Sequence, residues 1–259
     1  MGGASESSPT TDATSREIAV FERGLYRVRA ASGAHDIGAA RALRTQAFRT
    51  ARPDQDAFDS RCVQMLVEQR TTGALVGGFR MLVTTSGAEV LDSYSAQFYD
   101  LAALSARGGT VLELGRFCIH PACHDPDVLR VAWGALTAHV DRMGIDMLFG
   151  CSSFAGTEVG DYADALLLLR ARHVGPDNLR PRLKATEVIR FADLPDRAPD
   201  ARRAMQVMPP LLRTYLTMGG WVSDHAVIDR DLGTLHVFTG LEIGAIPPAR
   251  KRLLRAVAG

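Results

Sequence analysis

Leu112-Glu113-Leu114-Gly115-Arg116-Phe117 sets two opposite charges three residues apart inside an otherwise apolar run, Thr110 to Ile119. Side chains alternate between the two faces of a regular strand, so residues 113 and 116 point to opposite sides and both cannot face solvent comfortably. One of them is expected inside. Gly115 between them marks a bulge or a close backbone approach, which would re-aim both side chains and free a backbone N–H. Two readings stand at this point: a structural ion pair at a strand end, or a buried reactive group.

Working outward, Asp127 to Met143 carries Val128, Ala132, Leu136 and Val140 on one helical stripe, and Ile145 to Cys151 reads as the next strand. That is a β-α-β unit. Upstream, Cys62 to Gln69 and Ala74 to Thr84 form an antiparallel hairpin about Thr71-Thr72-Gly73, and Leu25 to Ala30 alternates like a half-exposed strand. Asp36 is expected to cap a helix through about Arg49, and Ser93 to Leu104 reads as helical. Downstream, Tyr162 to Arg172 is helical, and an Arg- and Pro-rich stretch ending near Met208 has no readable pattern. Pro209-Pro210 then opens a helix, Leu211 to Met218, closed by Gly219-Gly220. Trp221 to Ile228 and Thr234 to Leu241 finish as a hairpin. The fold class is α/β, an α+β mixed sheet flanked by helices, with no internal repeat.

The chain has 259 residues, 46% hydrophobic and 23% charged, which is the composition of an ordinary globular domain. A formal charge of +1 speaks against an extended nucleic-acid-binding face. Cys62, Cys118, Cys123 and Cys151 make no dense framework and no secretory leader precedes them, so a reducing cytoplasm is the expected location. No run approaches the roughly 18 apolar residues of a spanning helix, so any membrane contact is expected to be peripheral, on the cytoplasmic face. Met1-Gly2 opens like a myristoylation start, but Glu6 stands where that motif needs Ser or Thr. Residues 1–16 read as a disordered leader, 17–246 as one domain, and 247–259 as a basic tail.

Several groups have the right chemistry for a site. Asp54, Asp56 and Asp59 precede Arg80 in the strand Gly77-Gly78-Phe79-Arg80-Met81-Leu82; together they would suit an amino acid, Arg gripping the carboxylate bidentately and Asp accepting the ammonium. Asp clusters in loops are also ordinary solvated turns. Cys118, His120, Cys123 and His124 have irregular spacing for a metal, and none is expected. Gly150-Cys151-Ser152-Ser153-Phe154 lacks the second Gly of a nucleophile elbow, so Ser152 and Ser153 are read as substrate-bonding or capping groups. Basic residues gather at Arg170, Arg172, Arg180, Arg182 and Lys184, and again at Arg250, Lys251, Arg252 and Arg255. Either run is a solvated helix face, or a dock for an acidic carrier protein or anionic lipid headgroups.

Taken in order, Arg44-x-x-x-Phe48, Asp56-x-Phe58-Asp59, Gly77 to Leu82, and Glu113-Leu114-Gly115-Arg116 resemble the signature of acyl-homoserine-lactone synthases. The resemblance is closer to ornithine N-alpha-acyltransferases, and continues through Asp125 to Arg130, Phe149 to Phe154, and Pro209 to Leu216, ending at Glu242. It covers about residues 25 to 243. It implies a GNAT-like fold with a sheet splayed to admit an acyl-pantetheine arm, and direct attack by the amine without a covalent enzyme intermediate. The implied reaction moves a (3-hydroxy)fatty acyl group to the alpha-amine of ornithine. Two departures stand out: the loop to Asp56 lacks the Trp of lactone synthases, and Gln64 replaces an expected His.

The expected site joins these readings. Arg44, Phe48, Asp56, Asp59, Arg80, Gly115, Arg116, Ser152 and Ser153 bind substrate, Glu113 is the general base, and Arg170, Arg172, Arg182 and Lys184 dock the carrier. Enzymes of this fold that use coenzyme A hold its pyrophosphate on a Gly-rich helix start. Here that turn is His124-Asp125-Pro126-Asp127, without Gly and with two acids, which favours acyl carrier protein as donor and no separate cofactor. A lactone synthase, or a catalytically silent module that binds acyl carrier or lipid, are the alternatives.

Overall fold

The computed structural model describes residues 18–258, so the leader expected over residues 1–16 lies outside them. In chain order the strands are β1 (Phe21–Arg23), β2 (Tyr26–Ala30), β3 (Val63–Gln69), β4 (Leu75–Thr84), β5 (Tyr99–Asp100) and β6 (Val111–Ile119). There follow β7 (Met147–Ala155), β8 (Arg182–Leu183), β9 (Val188–Arg190), β10 (Trp221–Asp229) and β11 (Thr234–Glu242). The longer helices are α1 (Gly33–Phe48), α2 (Asp127–Met143), α3 (Ala163–Arg172), α4 (Ala201–Val207), α5 (Pro210–Thr217) and α6 (Pro248–Ala258). The chain folds into two compact units. One takes the chain up to Leu82, Arg116–Arg142, and the end from Leu254; the other takes Val83–Gly115 and Met143–Leu253.

In the first unit the strand order is β1-β2-β3-β4-β6, antiparallel from β1 through β4. Gln64 stands opposite Arg80 in the β3–β4 register, so both side chains share a face, and both are buried. A Cβ on Gly77 would approach the Cys118 carbonyl and the Val128 side chain at 3.2 Å each, so small residues let β4, β6 and α2 pack closely. Helix α1 begins at Gly33, earlier than expected. Asp36 lies in its first turn, where its carboxylate takes the Ser32 N–H at 2.8 Å.

In the second unit the order is β6-β7-β11-β10-β9; β6 and β7 are parallel and the remaining pairs antiparallel, giving the expected mixed sheet. One face, with Phe154, Leu235, Val237 and Ala226, packs against α3 and also buries Ala204 of α4 and Leu212 of α5. Leu166, Leu167, Leu168 and Leu169 are all buried, so the middle of α3 is covered on every side. Each such side chain contributes roughly 1.5–3 kcal/mol. The other face, with Phe149, Phe238, Trp221 and Val227, packs under the chain from Val90 to Leu104.

That covering chain corrects one expectation. Residues 93–104 do not form a helix: a short 3-10 turn, Ser95–Gln97, is followed by β5 and a short helix, Ala102–Ser105. The unreadable stretch 173–208 holds β8, β9 and α4. Strand β7 runs four residues beyond the expected end at Cys151, because β11 pairs with it from Glu242↔Met147 to Thr234↔Ala155. The basic tail, expected over residues 247–259, is helical from Pro248 to Ala258, as α6.

Candidate active site

Strand β6 carries the charged pair, and its backbone is irregular where the sequence implied. Arg116, rather than Gly115, takes the special conformation: its φ is 50°, the left-handed region that costs a side-chain-bearing residue about 1–2 kcal/mol. The β6–β7 register runs from Val111↔Met147 to Glu113↔Phe149. At the next residue a Cβ on Gly150 would run into the Leu114 carbonyl, so glycine is what permits the approach.

In the first unit, Asp54, Asp56 and Asp59 meet four guanidiniums. Arg44 grips Asp59 with both terminal nitrogens, at 2.6 and 2.9 Å, and Arg80 grips Asp56 at 2.7 and 2.9 Å while also reaching Asp59 at 3.1 Å. Arg116 donates to Asp54 at 3.2 Å and Asp56 at 3.1 Å, and Arg41 to Asp59 at 3.1 Å. Four cations (Arg41, Arg44, Arg80, Arg116) against three anions leave this set with one formal positive charge. Burial opposes ionisation of Asp59, but Arg44 bonding and the charges of Arg44, Arg80 and Arg41 outweigh it and hold the carboxyl at about 2. Burial opposes ionisation of Asp56 too, and Arg80 and Arg116 hold its carboxyl below its ordinary value.

The depth of these groups differs. Arg80, Arg44 and Asp59 are 2–3% exposed at the side chain, whereas Asp56 is 20% and Arg116 9%. Gln64, standing where a His was expected, uses both ends of its amide: Nε2 donates to Asp59 at 3.2 Å and Oε1 accepts from Arg44 at 3.3 Å. Asp56 also caps the 3-10 turn Ala57–Ser60 through the Phe58 N–H. Phe48 is half-buried at the end of α1. At the start of α2, Asp125 accepts the Tyr26 hydroxyl at 2.7 Å and the Asp127 N–H at 2.9 Å. The Asp127 N–H and then Tyr26 hold that carboxyl low, and the Tyr26 phenol is pushed up to about 12. Cys118 is buried, which pushes its thiol up to about 12 and keeps it neutral.

In the second unit, Glu113 is 4% exposed and accepts the Tyr94 N–H at 2.9 Å, the Ser95 N–H at 2.7 Å and the Ser95 hydroxyl at 2.6 Å. The Ser95 oxygen lies 3.5 Å from Cys151 Sγ. Ser152 and Ser153 part company: Ser152 is buried and accepts the Thr239 hydroxyl at 2.9 Å, while Ser153 is exposed on the opposite face. Tyr99 donates to the His236 carbonyl at 3.0 Å and its oxygen lies 3.1 Å from His236 Nδ1. Burial, aided by His225, brings His236 down to about 4.

Curated relatives match most of the chain. L-ornithine N(alpha)-acyltransferase of Rhodobacter capsulatus is 32% identical over 85% of this chain and 91% of its own length. The chain belongs to the L-ornithine N(alpha)-acyltransferase family. The enzyme of that name from Brucella abortus is 30% identical over 86% of each chain. A family model for an acetyltransferase (GNAT) domain matches residues 37–134. In fold, the chain resembles FeeM, an N-acyl amino acid synthase from uncultured soil microbes, with a TM-score of 0.51 at 12% identity, over 85% of this chain and 92% of that one.

As a member of the ornithine acyltransferase family, the chain is an acyltransferase. Among its expected site residues, the structure brings Arg44, Asp56, Asp59, Arg80 and Arg116 into one network, with Asp54 as a further member. Ser95, Tyr99 and His236 were not foreseen; the helical reading of residues 93–104 hid the first two. Of the expected carrier-docking residues, Arg172, Arg182 and Lys184 are exposed, Lys184 also donating to the Ala96 carbonyl at 2.6 Å. Arg170 is half-buried and donates to the carbonyls of Phe191, Leu194 and Pro195. Among the described residues, no helix is long and apolar enough to cross a membrane.

Proposed function

We propose that this acyltransferase moves a (3-hydroxy)fatty acyl group from acyl carrier protein to the alpha-amine of L-ornithine, giving lyso-ornithine lipid. The observation that carries the acceptor half is the excess of one guanidinium over carboxylates in the Asp54–Asp56–Asp59 network. An amino-acid carboxylate is welcome there. Asp56 and Arg116, more exposed than Arg44, Arg80 and Asp59, are the groups that meet the acceptor, Asp56 taking an ammonium and Arg116 the carboxylate; Arg44, Arg80 and Asp59 hold that pair rigid. Glu113 takes the proton of the attacking amine, directly or through a relay. A backbone N–H beside Gly115 stabilises the thioester oxyanion.

The donor half rests on the start of α2. Its first-turn N–H at Asp127 is already taken by the Asp125 carboxylate, and two acids there repel a pyrophosphate. A carrier protein brings a single phosphodiester on its own surface and docks through exposed cations such as Arg172 and Arg182. The amphiphilic product suits contact with cytoplasmic-face lipids, for which α6, with Arg250, Lys251, Arg252 and Arg255, has the charge.

The test is thiol release by the purified chain from acyl carrier protein thioester, with ornithine, with S-adenosylmethionine, or with neither, and mass spectrometry of the product. Ornithine-dependent release and an alpha-N-acyl product are expected. Release only with S-adenosylmethionine would indicate a lactone synthase, and binding without release a silent module.

A further inference from the structure

Glu113 is buried, yet a proton taken from the amine must leave it before the next turnover, and the departing pantetheine thiolate needs one. The second unit contains a path between those needs. Ser95, itself fully buried, donates its hydroxyl proton to Glu113 Oε1 at 2.6 Å, so its oxygen is left as the acceptor toward Cys151 Sγ at 3.5 Å. The chain Cys151–Ser95–Glu113 is therefore directed, S–H to O–H to carboxylate. Cys151 ends it at a half-exposed position.

The location of Cys151 matters as much as the chain. It lies two residues beyond Phe149, the last β7 residue in the β6–β7 register, just after the Gly150 approach to the Leu114 carbonyl. In the β7–β11 register Cys151 stands opposite Phe238, and Ser153 opposite His236, so these side chains share a sheet face. His236 Nε2 is buried and has no hydrogen-bond partner among the described residues. With Nδ1 facing the Tyr99 oxygen, that nitrogen is a neutral acceptor on the same face, independent of the cysteine chain, and calls for a donor from a ligand.

We propose that Cys151 is the general acid that protonates the departing pantetheine thiolate, and that Ser95 is the relay that recharges it from Glu113. The step balances. Glu113 takes a proton from the amine as the new C–N bond forms; the C–S bond breaks and its electron pair stays on the thiolate. The thiolate takes the Cys151 proton, Cys151 takes the Ser95 proton, and Ser95 takes the proton held by Glu113. All three groups return to their starting forms, and the amine proton ends on the free pantetheine thiol. Donor and acceptor in the transfer to the leaving group are both alkyl thiols.

This inference rests on the acyltransferase reading with Glu113 as base, and the experiment separates the two. Wild type, Cys151→Ala, Cys151→Ser, Ser95→Ala and Glu113→Gln are compared with two donors of the same acyl chain: the pantetheine thioester and an aryl thioester, whose weakly basic thiolate departs without a proton. Cys151→Ala and Ser95→Ala are expected to lose roughly 100-fold or more in kcat with pantetheine thioester and far less with the aryl one. Cys151→Ser, which keeps a donor, recovers part of the loss. Glu113→Gln suffers with both donors, because the amine proton must be removed in either case. Equal losses of Cys151→Ala with the two donors, or none with either, overturn the general-acid role; so does an acyl adduct on Cys151 in intact-protein mass spectra, which would make it a nucleophile. A Glu113→Gln enzyme that is active with both donors would instead sink the base assignment beneath it.

Discussion

Ser95 gives Glu113 two hydrogen bonds from one residue, its N–H at 2.7 Å and its hydroxyl at 2.6 Å, both to Oε1. A carboxylate held this way is fixed in orientation. It also keeps the 3-10 turn at Ser95–Gln97 attached to β6, so Glu113 has a structural duty beside any chemical one. Glu113→Gln should lower kcat by roughly 100 to 10,000-fold with a smaller change in KM. The amide retains one acceptor oxygen for three donors, so thermal denaturation must be recorded alongside. A stable variant with normal turnover at neutral pH would leave Glu113 purely structural.

Arg80→Lys conserves charge but loses the fork that holds Asp56 at 2.7 and 2.9 Å. The expected result is a raised KM for the amino acid with less effect on kcat, because Asp56 is no longer fixed where the ammonium should dock. Unchanged kinetics in a folded variant would remove Arg80 from the acceptor site.

The adjacent serines should separate cleanly. Ser152→Ala removes the acceptor of the buried Thr239 hydroxyl and should cost about 1–3 kcal/mol of stability in urea unfolding. Ser153→Ala, at an exposed position, should leave stability unchanged, and any effect it has should fall on turnover.

Two pH windows are expected in stability. Asp59 and Asp36 are held at about 2 in the folded chain, so the stability they contribute is present above the ordinary carboxylate range near 4 and is lost as pH falls through about 2. His236 and His139, lowered by burial to about 4, act earlier: below about 6.5 the unfolded chain takes protons that the folded one refuses. Stability should therefore fall from about pH 6.5 toward 4. His236→Asn should flatten that first decline in denaturant titrations at successive pH values; an unchanged slope would show that His236 is not its source.

Carrier preference should show in specificity constants for matched acyl-CoA and acyl carrier protein donors, and salt should weaken only the latter. Arg172→Glu and Arg182→Glu should slow association while sparing chemistry on the bound complex. Arg170→Glu should instead destabilise the fold, since it binds three backbone carbonyls. Equal constants for the two donors at low and moderate salt would sink carrier selectivity.

Much of this was readable from local pattern. The β3–β4 hairpin, β6, α2 and the β10–β11 hairpin announce themselves by alternation, a helical stripe, or Pro and Gly punctuation. Glu113, Arg116 and Arg80 stood out because charge inside an apolar strand demands a partner, and the loop carboxylates Asp54, Asp56 and Asp59 offered partners for the arginines. What stayed hidden depends on distant partners. Residues 93–104 have helical composition, but Glu113 draws in the N–H groups of Tyr94 and Ser95, and Tyr99 binds His236, 137 positions away. Likewise nothing local distinguishes Arg170, tied to carbonyls 21 to 25 residues away, from the exposed Arg172.

The Asp125 carboxylate, shared between Tyr26 and the first turn of α2, places anionic charge at the end of that helix. Under the proposed donor preference, such a charge would act as a filter that rejects a competitor before its cargo is inspected. Thioesters of coenzyme A carry the same reactive carbonyl and an identical pantetheine arm, and differ in the charge of the handle. Exclusion by the handle is blind to acyl length, so the ratio of the two donors' specificity constants should be the same for short and long chains.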